Sequence, residues 1–309
     1  MSKIDAILYG TINMDLVAYV PQFPEIGETI SSLEFQEIPG GKAANQAVTV
    51  QRLGKQVALV GKVGSDSYAG VLKGVLSNEG IMTDYVYSSP ITATGSSIII
   101  VDEAGQNFII TNQNANKELT KEEVRLSLKT AKHASAALLQ LEMPLEVASF
   151  IITSLKELNI PVFLNLAPVV PLDPEIRRLA DFLIINEVEA GQLTGSHVST
   201  LEDGRFIVKE LLEQGHEHVI ITMGNKGAII GENNRIQHVP SPSVQSVDTT
   251  AAGDCFCGAL VTYWLEERDL LKAAEKAVTA ASISVTKKGA LPSLPSKKEV
   301  EDFIKKSMS

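Results

Sequence analysis

Residues Ala136–Leu166 read AALLQLEMPLEVASFIITSLKELNIPVFLNL. The first six residues are an almost unbroken apolar run, as a strand covered on both faces requires. Leu145–Leu158 is an amphipathic segment of helix length, and Val162–Leu166 is a second strand-length apolar run. The same order recurs on either side. Ile4–Tyr9 reads as a strand, Lys42–Leu53 as a helix ended by Gly54, Val57–Val60 as a strand and Tyr68–Asn78 as a helix ended near Gly80. Thr120-x-x-Glu123 is a capping box opening a helix that should run to about His133. Phe182–Ile185, Leu201–Glu213 and His218–Met223 repeat strand, helix, strand. This alternation predicts an α/β fold: a mainly parallel sheet sandwiched by helices.

Two stretches break the alternation. Asp15–Ile38 is strand-like, contains Pro21, Pro24 and Gly27, and lacks a helical period. Thr92–Thr111 holds two β-rich runs, Ser96–Val101 and Asn107–Thr111, joined by the hairpin signal Asp102-Glu103-Ala104-Gly105. Together they predict a small antiparallel sheet, spanning about 14–38 and 92–112, that projects from the main body as a lid. Such a sheet has an apolar face to cover, by a ligand, another subunit, or both. No internal repeat or long linker interrupts the 309 residues, so one domain over 1–309 is expected.

Composition narrows the function. The chain is 44% hydrophobic, enough for a sizeable core, and its net charge of −10 argues against nucleic-acid or membrane-surface partners. No basic-then-apolar leader and no run of about 18 apolar residues is evident, so a cytoplasmic protein is expected. Cys255 and Cys257 suit a reducing compartment. Their C-x-C spacing hints at metal, but no further cysteine or nearby histidine completes a tetrahedral set.

Chemistry-bearing residues gather where strands end, the edge at which open α/β sheets bind ligands. After the first strand, Asn13 and Asp15 lie two residues apart and so face one side. They could hydrogen-bond several hydroxyls, as a sugar needs, or simply form the turn. Gly40-Gly41-Lys42-Ala43-Ala44-Asn45-Gln46-Ala47 opens a helix with Lys42 and Asn45 on one face. A glycine-rich helix entry with Lys42 turned to solvent is the alternative. Glu142, Asn186–Glu189 and Thr222–Gly227 each follow a strand. Neither the nucleotide P-loop spacing nor a G-x-G-x-x-G after a strand occurs. Last comes Val247–Leu260, VDTTAAGDCFCGAL, in which a small-residue turn, Ala251-Ala252-Gly253, precedes Asp254 and an apolar helical run. Bare N–H groups at that helix start would hold an anion such as a phosphate. Asp254 there either caps the helix or takes a proton from a hydroxyl attacking phosphorus.

Over essentially its whole length, through Gly40–Ala47 and Asp248–Leu260, the chain resembles the ribokinases of the PfkB carbohydrate kinase family. The resemblance implies a ribokinase-like α/β fold with a β-sheet lid and ATP-dependent phosphorylation of D-ribose at O5. Asn13, Asp15, Gly41, Lys42, Asn45 and Glu142 would hold the sugar. Asp254 would be the general base, with the N–H groups of Ala251, Ala252, Gly253 and Asp254 forming an anion hole. Asn186, Thr222, Gly224, Lys226 and Gly227 would contact ATP, and Glu189 would organise Mg²⁺. A potassium (K⁺) site would use Asp248, Thr250, Ser284, Lys287, Gly289 and Ser293. A homodimer through the lid is also expected. Two positions depart from the family: Cys257 stands where Asn is frequent, and Val278 where a His near adenine is frequent. Both bear on nucleotide affinity more than on activity. Kinases for 2-deoxyribose in the family tend to carry Met at the place of Asn13, so Asn13 argues for ribose. The other readings are a kinase for 2-deoxyribose, a nucleoside or another sugar, and a non-catalytic sugar-binding protein. A nicotinamide oxidoreductase would need the phosphate fingerprint that is missing.

Overall fold

The computed structural model describes residues 4–104, 106–233 and 235–307. Its strands are β1 (Ala6–Tyr9), β2 (Asn13–Tyr19), β3 (Glu34–Gly40), β4 (Val57–Val63), β5 (Met82–Ser88), β6 (Gly95–Val101), β7 (Asn107–Asn112), β8 (Ala136–Leu139), β9 (Val162–Asn165), β10 (Phe182–Asn186), β11 (His218–Thr222), β12 (Ala228–Glu232) and β13 (Arg235–Val239). Its α-helices are α1 (Lys42–Arg52), α2 (Ser67–Asn78), α3 (Lys121–Ala131), α4 (Leu145–Glu157), α5 (Pro174–Arg178), α6 (Glu187–Thr194), α7 (Leu201–Glu213), α8 (Ala252–Glu267), α9 (Leu270–Ser284) and α10 (Lys297–Ser307).

Nine strands form the large sheet in the order β13-β12-β11-β10-β9-β8-β1-β4-β5. From β5 to β11 every neighbouring pair is parallel, and β12 and β13 close one edge antiparallel. The period-2 rule explains why these strands carry almost no polar residues. In β1, Ala6 and Leu8 pack on one face of the sheet, while Ile7 and Tyr9 pack on the other. In β8, Ala136 and Leu138 oppose Ala137 and Leu139 in the same way. Both faces are core, so both alternating sets must be apolar. One face is covered by α1, α2, α8, α9 and α10, the other by α3, α4, α6 and α7. Each fully buried Leu or Ile contributes roughly 1.5–3 kcal/mol relative to exposure.

The smaller sheet has the order β3-β2-β6-β7. Its outer pairs are antiparallel, and the central β2–β6 pair is parallel, because the chain passes through the large sheet between them. The β6–β7 hairpin closes where Asp102 Oδ1 accepts from Gln106 N at 2.8 Å. Gly105 of that connection lies outside the described residues, as do 1–3, 234, 308 and 309. Residues 21–33 between β2 and β3 are largely exposed loop rather than strand, consistent with Pro21, Pro24 and Gly27, which supply no ladder. The Thr120–Glu123 capping box forms in both directions. Among the described residues, no helix is long and apolar enough to cross a membrane.

Candidate active site

Helix α8 starts without a side-chain cap. Its N-cap residue, Ala251, has φ 60°, a left-handed conformation that Ala seldom adopts, so the turn is held by its surroundings. A Cβ built on Gly253 would meet nothing within 4 Å, so the space before the first turn is open. Asp254 lies inside that turn but does not cap it. Its Oδ2 accepts from Asn45 Nδ2 at 2.9 Å, and its Oδ1 from Gln46 Nε2 at 3.1 Å. The capping alternative therefore gives way, because both carboxylate oxygens are engaged by α1. Burial pushes the Asp254 carboxyl up to about 6, against the opposing pull of the Lys42 ammonium and the Asn45 amide. A carboxylate ionised at neutral pH yet close to its titration point suits a general base.

Helix α1 reaches Asp254 because the two helices pack closely. A Cβ at Gly258 would lie 2.6 Å from the Gln46 carbonyl oxygen and 2.8 Å from Thr49 Cβ. Gly258 thus lets α8 approach α1. At the start of α1, Gly41 has φ 94°, and a Cβ there would lie 2.7 Å from both Asn13 N and Thr11 O. Only glycine fits that conformation and that gap.

The Lys42 ammonium forms an ion pair with Glu142 rather than facing solvent. Burial works against its charge, but Glu142 and Asp254 outweigh burial and hold its pKa above the usual value. Thr11 locks this pair in place: its hydroxyl donates to Glu142 Oε2 at 3.0 Å and accepts from Lys42 N at 3.1 Å. Asn13 is buried on β2, and its Oδ1 accepts from Asn116 Nδ2 at 2.7 Å. Asn116 Oδ1 in turn accepts from Ile12 N at 3.1 Å. This arrangement leaves the Asn13 amide hydrogens for a ligand. Asp15, two residues on, is also buried, and burial holds its carboxyl above the ordinary range, with Ser97 and Lys42 opposing.

Asn186 and Glu189 form a reciprocal capping box on α6. Asn186 Oδ1 accepts from Glu189 N at 2.7 Å, and Glu189 Oε2 accepts from Asn186 N at 2.9 Å. Burial raises the Glu189 carboxyl, and the charges of Lys42 and Asp254 are both felt there, so it belongs to the same cluster. Thr222 ends β11, and Gly224–Lys226 form a short exposed 3₁₀ turn. The Lys226 ammonium turns to the Ser199 carbonyl.

Asp248 ties the segment before α8 to the chain after α9. Its Oδ2 accepts from Gly289 N at 2.8 Å, and its Oδ1 from Thr250 N at 2.9 Å and Thr250 Oγ1 at 2.6 Å. Backbone N–H groups of Val247 and Asp248 both donate to the Val285 carbonyl, at 2.7 and 3.1 Å. The hydroxyls of Ser284 and Ser293 donate to the carbonyls of Ala281 and Ala290, and Lys287 pairs with Glu299. The donors that remain are one carboxylate, hydroxyl and carbonyl oxygens, a set that suits a hard monovalent cation better than a soft metal. Cys255 and Cys257 are buried free thiols, and burial pushes both thiol pKa values up. Val278 is buried on α9.

Three site residues were not singled out from the sequence: Thr11, Gln46 and Asn116. Gln46 lies inside the quoted Gly40–Ala47 segment, so proximity to Lys42 and Asn45 was the available signal; Thr11 lies in the turn after the first strand, two residues before Asn13. Asn116 carried no signal, since its partner is 103 positions away.

The family model for "pfkB family carbohydrate kinase" matches residues 3–297. A ribokinase of Haemophilus influenzae is 37% identical, over 96% of this chain and 96% of its own. A deoxyribokinase of Salmonella typhi is 36% identical, over 97% of this chain and 99% of its own. The structure of an Arabidopsis thaliana ribokinase complexed with ribose and ATP superimposes with a TM-score of 0.91 at 30% identity, covering 98% of this chain and 99% of that one. The chain belongs to the pfkB family of carbohydrate kinases and is a sugar kinase of its ribokinase group.

Proposed function

We propose that the protein transfers the γ-phosphoryl group of ATP to O5 of D-ribose. The observation that carries this reading is Asp254: a carboxylate with a pKa near 6, held by Asn45 and Gln46 at the uncapped start of α8. Asp254 takes the proton of the attacking hydroxyl, and the N–H groups of Ala251 to Asp254 stabilise the charge on the transferred group. Asn13, Asp15, Gly41, Lys42, Asn45 and Glu142 hold the sugar. Asn186, Thr222, Gly224, Lys226 and Gly227 hold the nucleotide. The half-buried Glu189 carboxylate suits Mg²⁺, which when bound neutralises phosphate charge. Asp248, Thr250, Ser284, Lys287, Gly289 and Ser293 suit K⁺, and Asp248 would transmit its presence to the turn before α8. The lid excludes water, which otherwise competes as acceptor.

The deoxyribokinase relative favours 2-deoxyribose as the second reading. Asn13 weighs against it, because its amide hydrogens are free to meet a 2-hydroxyl oxygen. ADP release with ribose, 2-deoxyribose and adenosine, with and without potassium, decides between them. Ribose should give the highest kcat/KM; a higher value for either competitor overturns the ribose assignment.

The lid also supports a homodimer. Strand β7 is exposed throughout, with Phe108, Ile109 and Ile110 each more than half exposed. An apolar sheet surface of this kind needs cover. Light scattering at micromolar concentration should show a dimer, and a monomer would contradict this assignment.

A further inference from the structure

Beneath Asp254 lies a set of buried side-chain amides that substrate binding does not explain. Gln46 and Gln140 are fully buried, and Asn165 nearly so. Gln46 Nε2 donates both hydrogens, to Asp254 Oδ1 at 3.1 Å and to Asn165 Oδ1 at 3.2 Å. Gln46 Oε1 accepts from Gln140 Nε2. Asn165 Nδ2 donates to the Ile184 carbonyl of β10 at 3.4 Å. Four elements thus converge: α1, the end of β8, β9 and α8.

We infer that Gln140, Gln46 and Asn165 are positioning residues for the phosphoryl-transfer step, forming a directed amide chain that aims the Asp254 carboxylate and keeps it ionised. The inference rests on Asp254 being the base. Its logic is directional. An amide can present either its oxygen or its NH₂ group to a neighbour. The Asp254 carboxylate and Asn165 Oδ1 take both hydrogens of the Gln46 NH₂ group, which leaves Gln46 Oε1 to accept from Gln140, whose own Oε1 is buried without a partner. The backbone carbonyl of Ile184 fixes Asn165 the same way, leaving Asn165 Oδ1 to take the second hydrogen of Gln46. A reversed Gln46 would set oxygen against oxygen. Donation to the charged form favours ionisation. None of the three amides titrates near neutrality, so a proton arriving from the sugar stays on Asp254. The charged and titratable groups that also face Asp254 are Lys42, Glu142, Glu189 and the thiols of Cys255 and Cys257.

The test uses Gln46→Met and Gln140→Met, apolar changes of similar length, in the full-length enzyme and again in an Asp254→Asn background. Gln46→Met should lower kcat about tenfold or more, with KM for ribose changed far less. It should also move the acid limb of kcat upward by about one pH unit. In the Asp254→Asn background it should cause little further loss, because its target is gone. Gln140→Met touches Asp254 only through Gln46 and should show the same pattern, weaker; it carries the test if Gln46→Met does not fold. Unchanged kcat and acid limb, or an equal loss with and without Asp254, would overturn the inference. An active Asp254→Asn parent would instead remove the base assignment on which it rests.

Discussion

Helices α6 and α8 both start beside the same crevice, and they treat their first turns in opposite ways. In α6 the strand residue Asn186 and Glu189 cap one another, so two backbone donors are satisfied inside the helix. In α8 no side chain caps the turn, the N-cap Ala251 sits at φ 60°, and the first-turn acid is drawn sideways by two amides of α1. A capping box stabilises a helix locally. An uncapped start gives up about 1 kcal/mol of such stability and keeps its donors for a ligand. The two ends are still linked, since the Glu189 carboxyl feels the charge of Asp254. One helix holds its shape and the other keeps chemistry available.

The comparison breaks most severely at Asp254. Asp254→Asn should lower kcat by about a hundredfold or more while the fold survives. Its folded pKa is raised, so the ionised carboxylate costs stability above pH 6, and that cost disappears below about pH 4. The melting point of the variant relative to the parent should therefore be higher at pH 8 than at pH 4, on top of a pH-independent loss where one amide donor of Asn45 or Gln46 meets the new NH₂ group; a difference that does not change with pH would contradict the burial account. Gly258→Ala comes next. A methyl group meeting the Gln46 carbonyl must push α1 from α8. Steady-state assays should show kcat down about tenfold, since small misplacements near a reacting group are costly. A fully active variant would mean that the α1–α8 contact does not set the carboxylate. The smallest effect is expected at α6. Asn186→Ala should cost about 1 kcal/mol in denaturant unfolding. Asn186→Asp keeps the cap, yet brings a negative charge toward the nucleotide, so it should raise KM for ATP while leaving stability unchanged. If both variants leave KM for ATP unmoved, Asn186 only caps.

The fold was legible because its strands are buried on both faces. Runs such as AALLQL have a single polar member, Gln140, at the strand's end, and the crossover helices follow at regular intervals. The strands not read from the sequence lie at the two ends of the large sheet. Strand β5, MTDYVYS, carries Thr83, Asp84 and Ser88 because it has a neighbour on one side only. Strands β12 and β13 form a short hairpin rather than another crossover unit, and so fall outside the alternation. At the site, ionisable residues were legible because their placement after strands is costly without a purpose. Asp254 stood out for a different reason, as an acid at a helix start whose bare N–H groups would hold an anion. Thr11, Gln46 and Asn116 did not, because an uncharged polar residue at a helix start or turn looks ordinary until its partner is known. The partner of Gln46 is 208 positions away. Lys42 illustrates the same point: solvent and an ion pair with Glu142 look alike from the helix face alone.

The central claim is that an ionised Asp254 at the uncapped start of α8 accepts the proton during transfer. The most direct measurement is the rate of a single turnover by rapid quench, with saturating ribose, MgATP and potassium, from pH 5 to pH 8. The account predicts a rate that falls tenfold per pH unit below an inflection near 6 and is level above it. A rate that stays constant across the whole range would contradict it.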